Sequence, residues 1–416
     1  MAEIKPFRAL RPKAEFISTI SCLPYDVVSR KEAADVLKMF PDSFLRVVKP
    51  ESTVPIQENL SPHGLAKIAA RNLKHLKKRN MMVLEQEPCL YIYQQSSGSY
   101  QRTGIVTCLS IKDYQKGLIK QHEKIRIKKW QERVQHIQVT RAHTGCALII
   151  YRSDFCIEEM IQKEMIIRNL IYDFVSDDGV RNCCWRIQQD DVIISLKNAF
   201  RNIHSLYIAD GHHRIAAAVE VAQLESRGEK STKGSDAEYA YFPAVLIPHH
   251  QINILGYHRL IKDIHGFSPD CFLQKLGKKF KVEKMTSNQP FLPLKKHEFG
   301  MNLADQWYQL SILENELKES KSIIDQLDVS ILQNQIINPL LSIKNPQESR
   351  KINFVGGGNV LSKLTKNIRQ GTNIIFTLYP ISVNEMMKVA DNRELMPPKS
   401  TWFEPKVRSG IFVHLF

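Results

Sequence analysis

Tyr207-Ile208-Ala209-Asp210-Gly211-His212-His213-Arg214-Ile215-Ala216-Ala217-Ala218 reads as the end of a buried strand, a glycine turn and the start of a helix. The apolar run Leu206–Ala209 predicts a strand that breaks at Asp210-Gly211, and Ile215–Glu225, rich in Ala and Val, predicts a helix. The first turn of a helix exposes unpaired backbone N–H groups and a partial positive charge. The turn is therefore a seat for an anion, and Arg214 adds a planar fork that matches phosphate oxygens. Each charge-assisted hydrogen bond contributes about 1.5–3 kcal/mol, so roughly four of them support micromolar capture after association costs. His212 and His213 acting only as buried helix-cap partners is the simpler alternative. Neighbouring helix residues point about 100° apart, which makes a shared metal ion awkward. No metal ligand is expected here, apart from Mg²⁺ carried by a nucleotide.

Outward from this turn, short apolar runs and turn residues alternate irregularly with helical patterns. Ser29-Arg30-Lys31-Glu32 is a capping box opening a helix that Pro41 ends, and Ser61-Pro62 opens a second with Leu65, Ile68, Ala69, Leu73 and Leu76 at helical spacing. Leu90–Ile92, Ile105–Leu109, Ala147–Tyr151, Trp185–Ile187, Phe242–Ile247 and Ile252–Leu255 predict strands. Residues 122–139 predict a long basic helix, Asp190–Asn202 another, and Ser226–Glu238 a polar, mobile loop. Beyond Ser268, itself a helix cap, strands are expected at Tyr308–Leu313, Ile352–Val355 and Ile374–Leu378, with a second capping box at Ser382–Glu385. Gly356-Gly357-Gly358 lacks both the Walker Lys-Ser/Thr and the GxGxxG spacing, so a plain strand–helix turn is the better reading. Interspersed strands and helices without strict alternation give an α+β class with mixed sheets and a smaller C-terminal α+β lobe, divided near residue 265.

The chain has 416 residues, 43% of them hydrophobic and 24% charged, which is the composition of a globular protein with more than one core. No apolar stretch reaches the roughly 20 residues of a membrane-spanning helix, and the first residues carry no apolar signal core. The eight cysteines form no CxxC pair, so reduced thiols and a cytoplasmic location are expected. The net charge is +15 and uneven: residues 112–141 hold nine Lys/Arg against three acids, and Arg71, Lys74, Lys77, Lys78 and Arg79 form a second group. Such patches attract anions, from nucleic acid to phosphorylated metabolites. Solvated helix faces account for the same charge. No helix-turn-helix, zinc-finger or RNP-like pattern accompanies it, so nucleic acid is a possible partner and not the favoured one.

The Asp210–Arg214 turn resembles the phosphate-binding turn of the ParB/sulfiredoxin superfamily, which includes free serine kinases. The whole chain resembles the family called domain of unknown function 1015. That likeness is carried by Ile4–Pro12, Leu23–Val28, Tyr91-Ile92-Tyr93, His122-Glu123, Arg133 with His136, the Asp210–Arg214 turn, Leu327-Asp328-Val329 and Met396–Lys406. The sequence has Glu132-Arg133 where an Asp-Arg pair is usual, and His258 where Asn is typical. The resemblance implies a ParB/sulfiredoxin-like nucleotide- or phosphate-binding region over 1–265 and a C-terminal domain, 266–416, closing the site.

The candidate site residues follow from the turn and the polar clusters. Gly211, His212, His213 and Arg214 hold nucleotide phosphates. Asp26, at the end of the Pro24-Tyr25-Asp26 segment, is the first candidate for the base that takes a hydroxyl proton, ahead of Glu123 and Asp210. His122, Arg126, Arg133, Lys399 and Arg408 are candidate clamps for the substrate's anionic groups, His122 and Arg126 being four apart on the expected helix. Asp26 as a turn carboxylate, and surface ion pairing for the His122–Arg133 group, are the plain alternatives. Together these residues point to a phosphotransferase using ATP or ADP with Mg²⁺ on a small hydroxyl-bearing metabolite, serine-like in the sense of the resemblance. A phosphohydrolase, or a non-catalytic binder of nucleotide or nucleic acid, would use the same anion seat. The oligomeric state is not written in the sequence.

Overall fold

The structure, a computed structural model, describes residues 2–55, 57–58, 60–227, 237–287, 289–318, 322–346, 348–369 and 373–416. The chain forms two compact units, one of residues 1–121, 125–252 and 405–416, the other of residues 122–124 and 253–404. Both mix helices with sheets. The strand His258–Ile261, just ahead of residue 265, pairs within the second unit's sheet.

The first unit is built on a nine-stranded mixed sheet. Its order runs Ile119–Lys120, Leu206–Asp210, Ala147–Tyr151, Tyr241–Pro248, Tyr100–Ser110, Leu90–Ser97, Arg181–Ile187, Leu170–Val175, with Ile4–Lys5 pairing Tyr100–Ser110. Ala147–Tyr151 and Tyr241–Pro248 run parallel in the middle, and Ala147–Tyr151 is buried throughout, which is why it reads as a continuous apolar run. The helix Asp190–Arg201 packs Ile193, Leu196 and Phe200 into the sheet's core, and the helix His212–Arg227 packs Ile215, Ala218 and Ala222 there. Leu90–Ser97 and Tyr100–Ser110 form an antiparallel hairpin that turns at Gly98-Ser99. The helix Phe155–Ile167 and the strand Leu170–Val175 were not legible as such. The helix is apolar on several sides, leaving Phe155, Ile166 and Ile167 exposed, so no helical stripe stands out.

A smaller antiparallel sheet in the same unit joins Met82–Leu84, Ala9–Pro12, Val413–Leu415 and Ala142–His143. Helices Arg30–Met39 and Pro62–Lys78 belong to this region. Both are capped as expected: Ser29 and Glu32 form the reciprocal box, and Ser61 accepts from the N–H of Gly64. The basic helix begins later than its sequence suggests, spanning Ile127–Thr140 with Arg126 as an extended N-cap residue. Residues 122–125 are not helical. In the second unit, His122 accepts a backbone hydrogen bond from Met396 at 2.8 Å and Glu123 forms a parallel bridge to the same residue, pairing that a helix would forbid. His122 and Arg126 therefore do not share a helix face. The helix after Leu206–Asp210 runs to Arg227, and the 228–236 part of the expected polar loop lies outside the described residues.

The second unit holds a six-stranded antiparallel sheet, ordered Phe280–Lys284, Gln306–Ile312, Glu298–Leu303, Ile374–Leu378, His258–Ile261, Ile352–Val355. A two-stranded ribbon of Asn253–Leu255 with Trp402–Glu404 accompanies it. Ser268 and Ser382 cap helices as their sequences predict. At Gly356 a Cβ would lie 2.8 Å from the Trp402 ring, so the glycine admits the indole and the run acts as a turn. No helix among the described residues is long and apolar enough to cross a membrane.

Candidate functional site

The strand Leu206–Asp210 slips register between Ile208 and Asp210, a bulge that turns its end residue just before the glycine. Gly211 has φ +101°, and a Cβ there would sit 3.2 Å from both Cα and Cβ of Ala147. Only glycine meets both conditions. Its carbonyl accepts from the N–H groups of Arg214 at 2.9 Å and Ile215 at 3.1 Å, starting the helix. The expected strand–turn–helix is thus present, and its side chains go in three directions.

Asp210 Oδ2 accepts from Lys406 Nζ at 2.9 Å. Burial works to raise its carboxyl, but Lys406, Arg214 and His212 outweigh it and hold the group well below the ordinary carboxylate range. His212 is buried, and burial pulls its imidazole down to about 4 against the opposing pull of Asp210, so it is neutral at pH 7. His213 accepts the backbone N–H of Arg126 on Nε2 at 3.0 Å, securing the start of the helix Ile127–Thr140. Arg214 reaches furthest: Nη1 donates to the Cys146 carbonyl at 2.6 Å, and Nη2 lies 3.8 Å from Asp26 Oδ1. Burial opposes its charge, while Asp26, Tyr25 and Asp210 favour it and raise its pKa on balance.

Tyr25 is the element that organises the guanidiniums. Arg133 stacks over its ring at 4.0 Å and Arg214 lies 5.7 Å from the same centroid. Burial first, then the Asp26 charge, push the Tyr25 hydroxyl up to about 12. Lys49 Nζ donates to the Tyr25 carbonyl at 2.9 Å, and Cys22 exchanges two backbone hydrogen bonds with Ser409, so the Pro24–Asp26 turn is held at both sides.

Tyr25, Arg133 and Arg214 line a cavity of about 20 Å³ together with Val48, His136, Ile137, His143, Thr144, Gly145 and Ser409. The buried Nε of Arg133 has no hydrogen-bond partner among the described residues. His136 pairs through Nε2 with the Val47 carbonyl at 2.9 Å, and burial, then Arg133, hold it down to about 3. His143 stacks on His414 with centroids 5.6 Å apart and rings 8° from parallel. Burial and His414 keep His143 neutral, a hydrogen bond to the Tyr241 carbonyl opposes them, and its Nε2 is unpartnered. The cavity therefore presents two guanidiniums with uncharged imidazoles around them. Such a wall attracts an oxyanion and offers it few competing carboxylates. Tyr25, Arg133 and His136 also line a second cavity, which adds Lys49, Glu51, Lys129 and Glu132.

Of the residues singled out by sequence, Arg133 and Arg214 come together at this wall, Asp26 lies outside it at 3.8 Å from Arg214, and Asp210 and Gly211 support it. Arg126 contributes its backbone N–H to His213. Arg408 is 4% exposed and committed elsewhere, at 2.7 Å from Asp177 and 3.4 Å from Asp178, and donating to the Ser21 carbonyl. His122, Glu123 and Lys399 belong to the second unit. There His122 Nε2 is 3.4 Å from Thr401 Oγ1, and Lys399 has φ +58° with Nζ 5.4 Å from the Tyr257 ring. Tyr25, His143, Thr144 and Ser409 were not singled out as site residues. Tyr25 lies inside the Pro24-Tyr25-Asp26 segment, noted for its carboxylate, and the local signal for the others is His143-Thr144-Gly145 ahead of the apolar run Ala147–Tyr151, a pattern shared by many strand starts.

The chain belongs to the family of proteins of unknown function DUF1015, whose model matches residues 4–330. No curated protein sequence matches it. Among solved structures it is similar to a free serine kinase variant in complex with ADP, at 11% identity and a TM-score of 0.38, over 72% of this chain and 87% of that one. A conserved hypothetical protein from Pyrococcus furiosus gives 11% identity and a TM-score of 0.39 over 75% and 97%. SbnI with a C-terminal truncation, from Staphylococcus aureus, gives 11% identity and a TM-score of 0.37 over 72% and 84%.

Proposed function

We propose that the protein is a nucleotide-dependent phosphotransferase acting on a small hydroxyl-bearing metabolite, on a ParB/sulfiredoxin-like core. The observation that carries this reading is the Arg133–Tyr25–Arg214 arrangement, in which two guanidiniums flank one ring and Arg133 Nε is buried with no partner among the described residues. One oxygen of a terminal phosphate entering this cavity, whose volume of about 20 Å³ is close to that of a single water, would supply that acceptor between the two cations. Asp26, exposed and 3.8 Å from Arg214, would take the proton of the acceptor hydroxyl. In the transfer, the acceptor oxygen bonds to the terminal phosphorus and the bond to the bridging oxygen of the nucleoside diphosphate breaks. The proton passes to Asp26. The adjoining cavity beyond Tyr25 is the natural place for the acceptor, since it shares the Tyr25–Arg133 wall. Mg²⁺, when bound with the nucleotide, would offset phosphate charge.

Calorimetry with ATP and ADP, followed by product analysis with a panel of hydroxyl metabolites, tests this reading. Arg214→Ala is expected to weaken nucleotide binding by roughly 100-fold or more, the equivalent of one or two charge-assisted hydrogen bonds. Unchanged affinity in a folded variant removes the site from the reaction. Release of free phosphate in place of a phosphorylated acceptor makes the protein a hydrolase.

A further inference from the structure

The helix Pro62–Lys78 carries a face that phosphate transfer does not use. Its apolar residues Ala66, Ala69, Leu73 and Leu76 are buried, while Lys67, Arg71, Lys74 and Lys78 are exposed. Its 17 residues include no Asp or Glu. At 100° per residue the four cations fall within about 60° of arc, and at 1.5 Å per residue they extend over about 16 Å. Of the neighbouring cations, Arg79 pairs with Asp42 and Arg141 with Glu225, while exposed Lys77 engages no carboxylate among the described residues. No ion pair engages the four among the described residues. Beside this stripe lies a groove lined by apolar Ala70, Leu73, Leu415 and Phe416, the last with the Arg141 guanidinium 4.9 Å from its ring, and by Lys74, Lys77 and Lys78.

We propose that this face binds a single-stranded polynucleotide, with phosphates along the stripe and an unstacked base in the groove. A row of unneutralised cations at one-turn spacing suits a chain of regularly repeated anions, and the net charge of +15 has the complementary sign. The apolar floor beside it suits the flat face of a base better than the side chains of an acidic peptide. A membrane surface fits less well, because the apolar residues of the helix are buried and it exposes no large hydrophobic side chain for insertion. The inference is independent of phosphotransfer.

Fluorescence anisotropy with labelled oligo(dT) and oligo(U) of about 12 nucleotides tests it. Binding of either is expected, with a log–log salt slope near −2.8, or about 0.7 for each of roughly four phosphates. The variant Arg71→Gln/Lys74→Gln/Lys78→Gln is expected to lose at least ~30-fold in affinity at low salt and to fall to a slope near −0.7, while ATP calorimetry is unchanged. Retained affinity in that folded variant, no binding of either oligomer by the wild type, or equal binding of polyglutamate or phosphatidylserine vesicles overturns the proposal. Arg214→Ala leaves oligonucleotide binding intact, so failure here and failure of the phosphotransferase reading are separable.

Discussion

The first unit uses the same two side chains, Arg and Lys, in opposite ways. Around Tyr25 and Asp210 the cations are largely buried, each fixed by a ring, a carbonyl or a carboxylate. Along Pro62–Lys78 they are exposed and engage no carboxylate among the described residues. Burial raises the energetic stake of every partner, because a charge left alone in a poor solvent costs several kcal/mol, whereas an exposed one is already solvated. The buried set is therefore fixed in direction, as recognition of a particular anion would require, and each member is costly to leave without its partner. The exposed set can only attract, in a way that salt weakens.

The largest effect expected from this contrast is at the Lys406–Asp210 pair. Lys406→Met leaves a half-buried carboxylate beside no ammonium group, and should destabilise the unit by about 3 kcal/mol in urea unfolding. Pairing it with Asp210→Leu removes the stranded charge, and most of the loss should return. A double variant no more stable than the single one would mean that the pair is not the source of the loss.

How much of this was readable from sequence follows from the range of the forces involved. Local rules served well: the Ser29 and Ser382 boxes, the Ser61 and Ser268 caps, the apolar run Ala147–Tyr151 and the Gly211 turn all form as read. The start of the basic helix was misplaced because residues 122–123 are held extended by pairing with Met396, more than 270 positions away in the chain. Arg214 was legible as a cation at a helix start, but its direction was not, since that depends on the Cys146 carbonyl and on Asp26. His143 and Ser409 reach the cavity from segments far apart in sequence, and no local spacing announces such a meeting. Arg408 shows the converse: a cation beside the site in sequence terms is consumed by Asp177 and Asp178.

The imidazoles sharpen the comparison through pH. His136 has a folded-state pKa of about 3 against an ordinary value near 6.5, so between those values the unfolded chain binds a proton that the folded one refuses. Stability attributable to this group is therefore complete above about pH 6.5 and declines on acidification, by about 1.4 kcal/mol for each pH unit between the two pKa values. His136→Gln should flatten that part of the stability–pH curve measured by urea unfolding between pH 6 and 5. An unchanged slope would mean that the ring accepts a proton without cost and is not enclosed. Next in size is Arg133→Met, which keeps the stem and removes the charge over Tyr25. Loss of the cation–π contact should cost about 1 kcal/mol, partly recovered because the orphaned Nε goes with it.

The smallest effect should come from the exposed stripe, and its smallness is the point. Lys74→Ala and Lys78→Ala remove two charges from a helix surface where neither pairs with a carboxylate among the described residues, and Ala is the better helix former. Relief of like-charge repulsion at four-residue spacing adds a few tenths of a kcal/mol in the same direction. The double variant should therefore be as stable as the parent or slightly more so, within about 0.5 kcal/mol, with the gain shrinking as salt is added. A loss beyond 1 kcal/mol would show that these lysines hold the helix in place. They would then belong with the buried cations, and the division between a recognising set and an attracting set would fail at its exposed end.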